Sequence, residues 1–277
     1  TKLWWNFEYD NSNFYFYDEI IIKSSKMQKT DYSQIAPTYN DRYNKNYLVN
    51  IENQLKILIT SNNYKTILEV GCGTGRWISS LEDISKKIFG LDYSFDMIKI
   101  PKFDNTPLNL VNADAVHIPF KNNYFDLIFC VNAIHHFPDK EKFIKESTRT
   151  LSTKGMLAVF GVDPHIDKDW YVYDYFDSVY ENDLKRFPSL EMLTRILGAE
   201  NFKEIEMKVV EEVHNERIGD DVFNDSFLNK HNCSQLANLS DDEYQKGIDN
   251  IKIQITKNPE TVFKTSVIFY LVNAKKK

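Results

Sequence analysis

The chain has 277 residues, 42% of them hydrophobic, with a formal net charge of −6. That is enough to bury one substantial core, and the charge gives no global basic footprint, so extended nucleic-acid binding is disfavoured. Cys72, Cys130 and Cys233 lie far apart with no C-x-x-C pair, which indicates neither a metal motif nor a disulfide framework and fits reduced thiols of a cytoplasmic protein; no apolar run reaches the ~18 residues of a membrane span, and no secretory signal pattern is expected.

Residues 1–30 read as an N-terminal extension. They are aromatic and polar, and Ile20, Ile21 and Ile22 form the one strongly apolar stretch. Composition does not distinguish an accessory hairpin from a packing arm. From Asp31 to Leu58 the pattern is helical: Tyr32, Ile35, Ala36 and Tyr39 recur at three- and four-residue spacing, and Tyr43 and Tyr47 continue the series. Pro37 predicts a break between two short helices.

The centre alternates. Strands are predicted at 66–70, 87–92, 108–112, 125–131 and 156–162, and helices at 75–83, 94–99, 139–151 and 189–198. Near-continuous apolar strands between helices indicate a parallel sheet covered on both faces. Two late strands, 202–213 and 262–273, complete a set of seven. The polar stretch 214–261 between them is long for a connection and reads as an insertion that packs near one end of the sheet.

The first predicted strand ends in a glycine turn, Gly71-Cys-Gly-Thr-Gly75, and a helical run starts at Arg76. Alternating glycines permit positive φ and let backbone N–H groups approach a ligand closely. The dinucleotide fingerprint G-x-G-x-x-G does not fit, because Arg76 stands where its third glycine would be; Asp92, at the next strand end, still suits a ribose diol. A strand–helix turn without a ligand accounts for the glycines alone. The other strand ends add weight: Glu69 precedes the turn, and Asn112-Ala-Asp114 and Asn132-Ala-Ile-His135-His136 follow the third and fourth strands. Ligands of open α/β sheets bind outside the carboxyl ends of the strands.

Taken together, Leu68-Glu-Val-Gly-Cys-Gly-Thr-Gly75, Gly90-Leu-Asp-Tyr-Ser94 with Met97, Ala113-Asp-Ala-Val-His-Ile-Pro-Phe120, Asn123-Tyr-Phe-Asp-Leu-Ile128, His135-His-Phe137 and Leu151-Ser-Thr-Lys-Gly155 give the chain a specific resemblance. It resembles a class I S-adenosylmethionine-dependent methyltransferase of the small-molecule type, over about residues 31–162. The resemblance implies a Rossmann-like, seven-stranded, mainly parallel α/β sheet with helices on both faces and the last strand antiparallel. It implies one methyltransferase domain over 31–277, with a cofactor-binding core at 60–162, a substrate-side segment at 163–188 and the insertion at 214–261.

The same resemblance implies roles for single residues. The backbone of Gly71, Cys72, Gly73 and Gly75 would approach the amino-acid end of S-adenosylmethionine, with Glu69 holding its ammonium group. Asp92 would accept the ribose hydroxyls. Tyr93 and Met97 would pack on the adenine, Asp114 and the Ala115 N–H would meet its polar edge, and Asn132 would lie beside the methionine moiety. Tyr32 and Tyr39, flanking Ala36, match the spacing of an N-terminal helix that closes over the cofactor in related enzymes. His135 and His136 are the candidates for proton transfer, against a reading in which they only shape the pocket; His117 reads as a loop residue. No metal is implied.

For the acceptor side, Trp170, Tyr171 and Tyr173 are candidate aromatic walls, with His165 and Arg186 as polar contacts; an amphipathic helix packed on the core would use the same aromatics. Asn132-Ala-Ile-His135 occupies the place of the Asn/Asp-Pro-Pro-Tyr/Phe signature of many nucleic-acid amino methyltransferases. The expectation is methyl transfer to a small-molecule acceptor at O, N or C. The alternatives are a tRNA-modifying methyltransferase and a non-catalytic cofactor-binding module.

Overall fold

A computed structural model describes residues 48–85, 87–99 and 108–277. The expectations for residues 1–47, among them Tyr32 and Tyr39, lie outside the described residues. In chain order the elements are α1 (Val49–Ser61), β1 (Thr66–Val70), α2 (Arg76–Leu81), β2 (Lys87–Asp92), α3 (Phe95–Ile98), β3 (Asn109–Asn112), β4 (Phe125–Val131), α4 (Lys140–Thr150), β5 (Leu151–Gly161), α5 (Tyr171–Tyr175), α6 (Val179–Arg186), α7 (Leu190–Ala199), β6 (Phe202–Ile218), α8 (Ser234–Ala237), α9 (Asp241–Lys257) and β7 (Val262–Lys276).

The strands form one seven-stranded sheet in the order β3-β2-β1-β4-β5-β7-β6. β1 to β5 pair in parallel, and β7 runs antiparallel to both β5 and β6. The order reverses between β1 and β4, which is where such sheets open a ligand crevice at their carboxyl ends.

Alternation along the strands sorts side chains between two cores. Leu68, Val70, Ile128, Cys130, Leu157 and Val159 face α4 and α7, meeting Phe143, Ile144, Leu193 and Ile196. Ile67, Leu127, Phe129, Ala158 and Phe160 face α1 and α2, meeting Ile51, Leu55, Trp77 and Ile78. Burying the central strands on both faces explains their near-continuous apolar sequence. The helices start where the sequence offers caps: Asp139 accepts the Lys142 N–H, Ser189 accepts the Met192 N–H, and Ser240 forms a capping box with Glu243.

Two strand boundaries differ most from expectation. β5 begins at Leu151, directly after α4, and bulges against β4 between Phe125 and Leu127. β6 continues to Ile218 because β7 pairs with it as far as Ile218↔Val262. The insertion therefore starts at Gly219, not at 214. It does not merely rest on one end of the sheet: Val222, Leu228, Leu236 and Ile251 build a third core with Tyr171, Val172 and Phe176 of the substrate-side segment and Phe263 of β7.

Candidate active site

The glycine turn hangs on β2. The Gly71 and Cys72 N–H groups both donate to the Leu91 carbonyl, at 2.7 and 3.1 Å. Gly71, Gly73 and Gly75 have φ of 77°, 55° and 83°, the left-handed region where only glycine is free of Cβ strain. A Cβ on Gly71 would come within 2.4 Å of the Ala133 Cβ, so the turn packs directly on the end of β4.

Asp92 joins the turn to the next strand end. Its Oδ2 accepts the Gly73 N–H at 2.7 Å and its Oδ1 the Ser94 N–H at 2.8 Å. Burial raises its pKa, and the Ser94 and Gly73 N–H groups offset part of that shift. Each carboxylate oxygen keeps a lone pair after these bonds, so the group can still accept from a diol.

Glu69 is 1% exposed, and its Oε2 is buried with no hydrogen-bond partner. Burial holds its pKa well above the carboxylate range, the neighbouring Asp92 charge adds to this, and Arg76 and the Ile78 N–H oppose it. A buried carboxylate oxygen without a donor is costly. It is the kind of group a ligand ammonium satisfies, so the residues around this turn fit the donor that the motif implies.

The remaining strand ends carry the other candidate residues. Met97 is buried at the start of the β2–β3 connection, whereas Tyr93 is 59% exposed. Asp114 turns the chain after β3 by accepting the Val116 N–H at 3.2 Å, and Ala115 beside it is buried. Asn132 has φ of 48° and donates its N–H to the Phe160 carbonyl at 2.8 Å. His135 is buried and stacked on Phe187 with centroids 4.0 Å apart and rings 13° from parallel; the His136 ring lies 4.0 Å from it. His117 sits on an exposed loop beside Lys142 Nζ, at 2.8 Å.

A cavity of about 310 Å³ begins at Val131, Asn132, His135 and His136 and runs away from the glycine turn, towards the third core. Of the expected acceptor residues, Trp170 and Tyr173 line it. The others are placed elsewhere. Tyr171 is 3% exposed and points into the third core, its hydroxyl donating to Asp225 Oδ2 at 3.0 Å. His165 closes on Asp163, with Nδ1 2.9 Å from Oδ1. Arg186 pairs with Asp183 at 3.2 Å and reaches the cavity only through Ser234 Oγ, 3.1 Å away.

Several lining residues were not read from the sequence: Asn215 and Arg217 of β6, Asp225, Phe227 and Ser234 of the insertion, and Phe269 of β7. Only the alternation Val213-x-Asn215-x-Arg217 hints that one face of β6 meets a polar cavity. Among the described residues, no group of three His, Cys, Asp or Glu side chains is placed to hold a metal ion.

Comparison with known proteins bears on the fold and the family. Residues 68–159 match the family model described as "Methyltransferase domain". The demethylmenaquinone methyltransferase of Listeria monocytogenes is 26% identical over 194 residues, covering 62% of this chain and 81% of that protein. A probable tRNA methyltransferase 9B of Mus musculus is 30% identical over 97 residues, which is 34% of this chain and 21% of that protein. Among solved structures, the plantazolicin methyltransferase BpumL, in complex with a pentazolic desmethylPZN analog and SAH, superposes with a TM-score of 0.53 at 13% identity, covering 88% of this chain and 90% of that one.

Proposed function

From the premise that this chain is a class I S-adenosylmethionine-dependent methyltransferase, we propose that it methylates a small-molecule acceptor held in the cavity beyond Asn132–His136. The observation that carries the reading is the cavity's position and lining. It opens at the β4 end, beside the glycine turn, and the substrate-side segment, the insertion and the β6–β7 hairpin all contribute walls. A walled site of about 310 Å³ suits a small molecule, in the lower part of the range of roughly 300–1,000 Å³ common for such sites.

In this reading Glu69, Asp92, Asp114 and the turn from Gly71 to Gly75 hold the donor. S-adenosylmethionine, when bound, supplies a methyl group made electrophilic by its sulfonium. The chain's part is alignment and exclusion of water, which lower the barrier by fixing the nucleophile in line. Asn132 marks the boundary between the donor and acceptor sides. His136 and the buried His135 both line the cavity, which supports assigning them proton acceptance where the attacking atom carries a proton; Phe187 stacks on His135. Trp170 and Tyr173 bound the acceptor. The free, buried cysteines fit the cytoplasm, and no helix among the described residues is long and apolar enough to cross a membrane.

The name of the mouse relative motivates a second reading, methylation of tRNA. Labelled methyl transfer from S-adenosylmethionine to a protein-free metabolite extract, compared with transfer to total tRNA, separates the two. Label entering low-molecular-mass products is expected. Label entering tRNA alone would replace the first reading with the second.

A further inference from the structure

The cavity beyond Asn132–His136 has a negatively charged wall. Of its lining side chains that carry a full charge at neutral pH, Asp167 and Asp225 are carboxylates, and the cation, Arg217, is paired with Asp221 at 3.0 Å. No cation among the described residues pairs with either lining carboxylate. Asp225 is spent on the Tyr171 hydroxyl and the Phe227 N–H, at 3.0 and 2.9 Å, so it contributes charge but no open atom. Asp167 differs. Its Oδ2 accepts the Tyr270 hydroxyl at 2.7 Å, whereas its Oδ1 accepts no hydrogen bond among the described residues and remains accessible.

Three residues on, the same segment supplies an aromatic corner. The Trp170 and Tyr173 rings both line the cavity, with centroids 5.3 Å apart and planes at 76°. Rings set at a large angle to one another are how aromatic sites enclose a cation, which is drawn to the negative face of each ring. The corner is fixed before any ligand enters. The Asp169 carbonyl accepts the Ser266 N–H at 2.6 Å, Trp170 bridges to Thr265 of β7, and the Tyr173 hydroxyl donates to Asp183 at 3.0 Å. A preset site spares the ligand the cost of ordering it. Asp167 is anchored through Tyr270, which pairs with Gly161 at the carboxyl end of β5. Asn132, at the end of β4, donates to Phe160 one residue earlier on that strand.

We infer that the acceptor is an organic amine, cationic at neutral pH, whose ammonium is received by Asp167 Oδ1 and the Trp170–Tyr173 corner. An ammonium supplies the charge-assisted donor that the open carboxylate oxygen lacks, and the two rings add attraction to its remaining faces. An anionic acceptor would meet two carboxylates that no cation pairs with, and like charge without a partner is how a site rejects a competitor. The inference rests on the small-molecule reading of this cavity and names the class of molecule that fills it.

The test uses the whole chain and a metabolite extract divided on a cation exchanger at neutral pH into retained and unretained fractions. Labelled methyl transfer is expected from the retained fraction. Initial rates at limiting dilution of that fraction follow kcat/KM. Asp167→Asn, which keeps an acceptor for the Tyr270 hydroxyl but removes the charge, should lower that rate about tenfold or more, as for loss of a charged hydrogen bond. Asp167→Glu should recover part of it. Trp170→Leu should lower the rate severalfold, and Trp170→Phe, which keeps a ring, should lower it less. Calorimetric affinity for S-adenosylhomocysteine and the thermal midpoint should stay at wild-type values in Asp167→Asn, which separates a binding defect from misfolding. Transfer confined to the unretained fraction overturns the inference, as does wild-type turnover by Asp167→Asn; each leaves the methyltransferase reading intact. No transfer from either fraction, with S-adenosylhomocysteine still bound, overturns the small-molecule reading and this inference with it.

Discussion

Asp92 does two things with one carboxylate. It fastens the glycine turn through Gly73 and the following loop through Ser94, and each oxygen keeps a lone pair, which the proposed function assigns to a ribose diol. Asp92→Ala should weaken S-adenosylhomocysteine about a hundredfold in calorimetry, from two lost charge-assisted hydrogen bonds. Unchanged affinity would remove Asp92 from the donor site. Gly71 makes a prediction about stability instead. Its φ of 77° and the 2.4 Å approach to Ala133 mean that Gly71→Ala pays both left-handed strain and overpacking, about 2–4 kcal/mol together. Chemical denaturation should show that loss, and adding Ala133→Gly should restore the overpacking part only.

At the scale of elements, the third core ties α5, α6 and α8 together through Asp183. This carboxylate is 1% exposed; it accepts the Tyr173 hydroxyl at 3.0 Å and pairs with Arg186. Burial pushes its pKa up to about 6, against the pull of Arg186 and of the Tyr173 and Gln235 hydrogen bonds. A raised carboxylate pKa means that the folded state binds the proton more tightly than the unfolded chain. Asp183 therefore makes its most favourable contribution at low pH, below its unfolded value of about 3.9, and loses it as pH rises towards 6. Urea denaturation across that window should show this downward slope, and Asp183→Asn should flatten it; an identical slope in the variant would exclude Asp183 as its source. α9 docks on the same core through Gly247, where a Cβ would stand 2.1 Å from the Phe176 ring. Gly247→Ala should therefore destabilise by about 1–3 kcal/mol despite alanine's better helix propensity. Methyl transfer should fall with it as the cavity wall shifts, while S-adenosylhomocysteine binding stays near wild type. Equal loss of both would show that the insertion also supports the donor site.

Across the whole molecule, the donor and acceptor halves were legible to different degrees. The central strands could be located from periodicity, because β1, β4 and β5 are buried on both faces, but the start of β5 at Leu151 and the short helices α5 and α6 after it could not. The residues proposed for the donor stood at strand ends, where a polar side chain after an apolar run is conspicuous. The acceptor wall offered no such contrast. Tyr171, Tyr173 and Trp170 look alike in sequence, yet Tyr171 is spent on Asp225 in the third core while the other two face the cavity. Arg217 closes β6 and Asp225 lies just after it at the start of the insertion, where the local pattern is merely polar.

The sequence by itself determined most of the sheet and the turn, because those depend on local patterns of strand periodicity and glycine spacing; the methyl donor followed from the resemblance that the motifs at the strand ends carry. Only the tertiary structure decided which side chains wall the acceptor. That choice is made where β6, β7, the substrate-side segment and the insertion meet, and it depends on which polar groups the fold satisfies internally. Asp225 and Asp183 are satisfied by the Tyr171 and Tyr173 hydroxyls, whereas Trp170, Asn215, Phe227 and Thr265, one from each of these four parts, line the cavity.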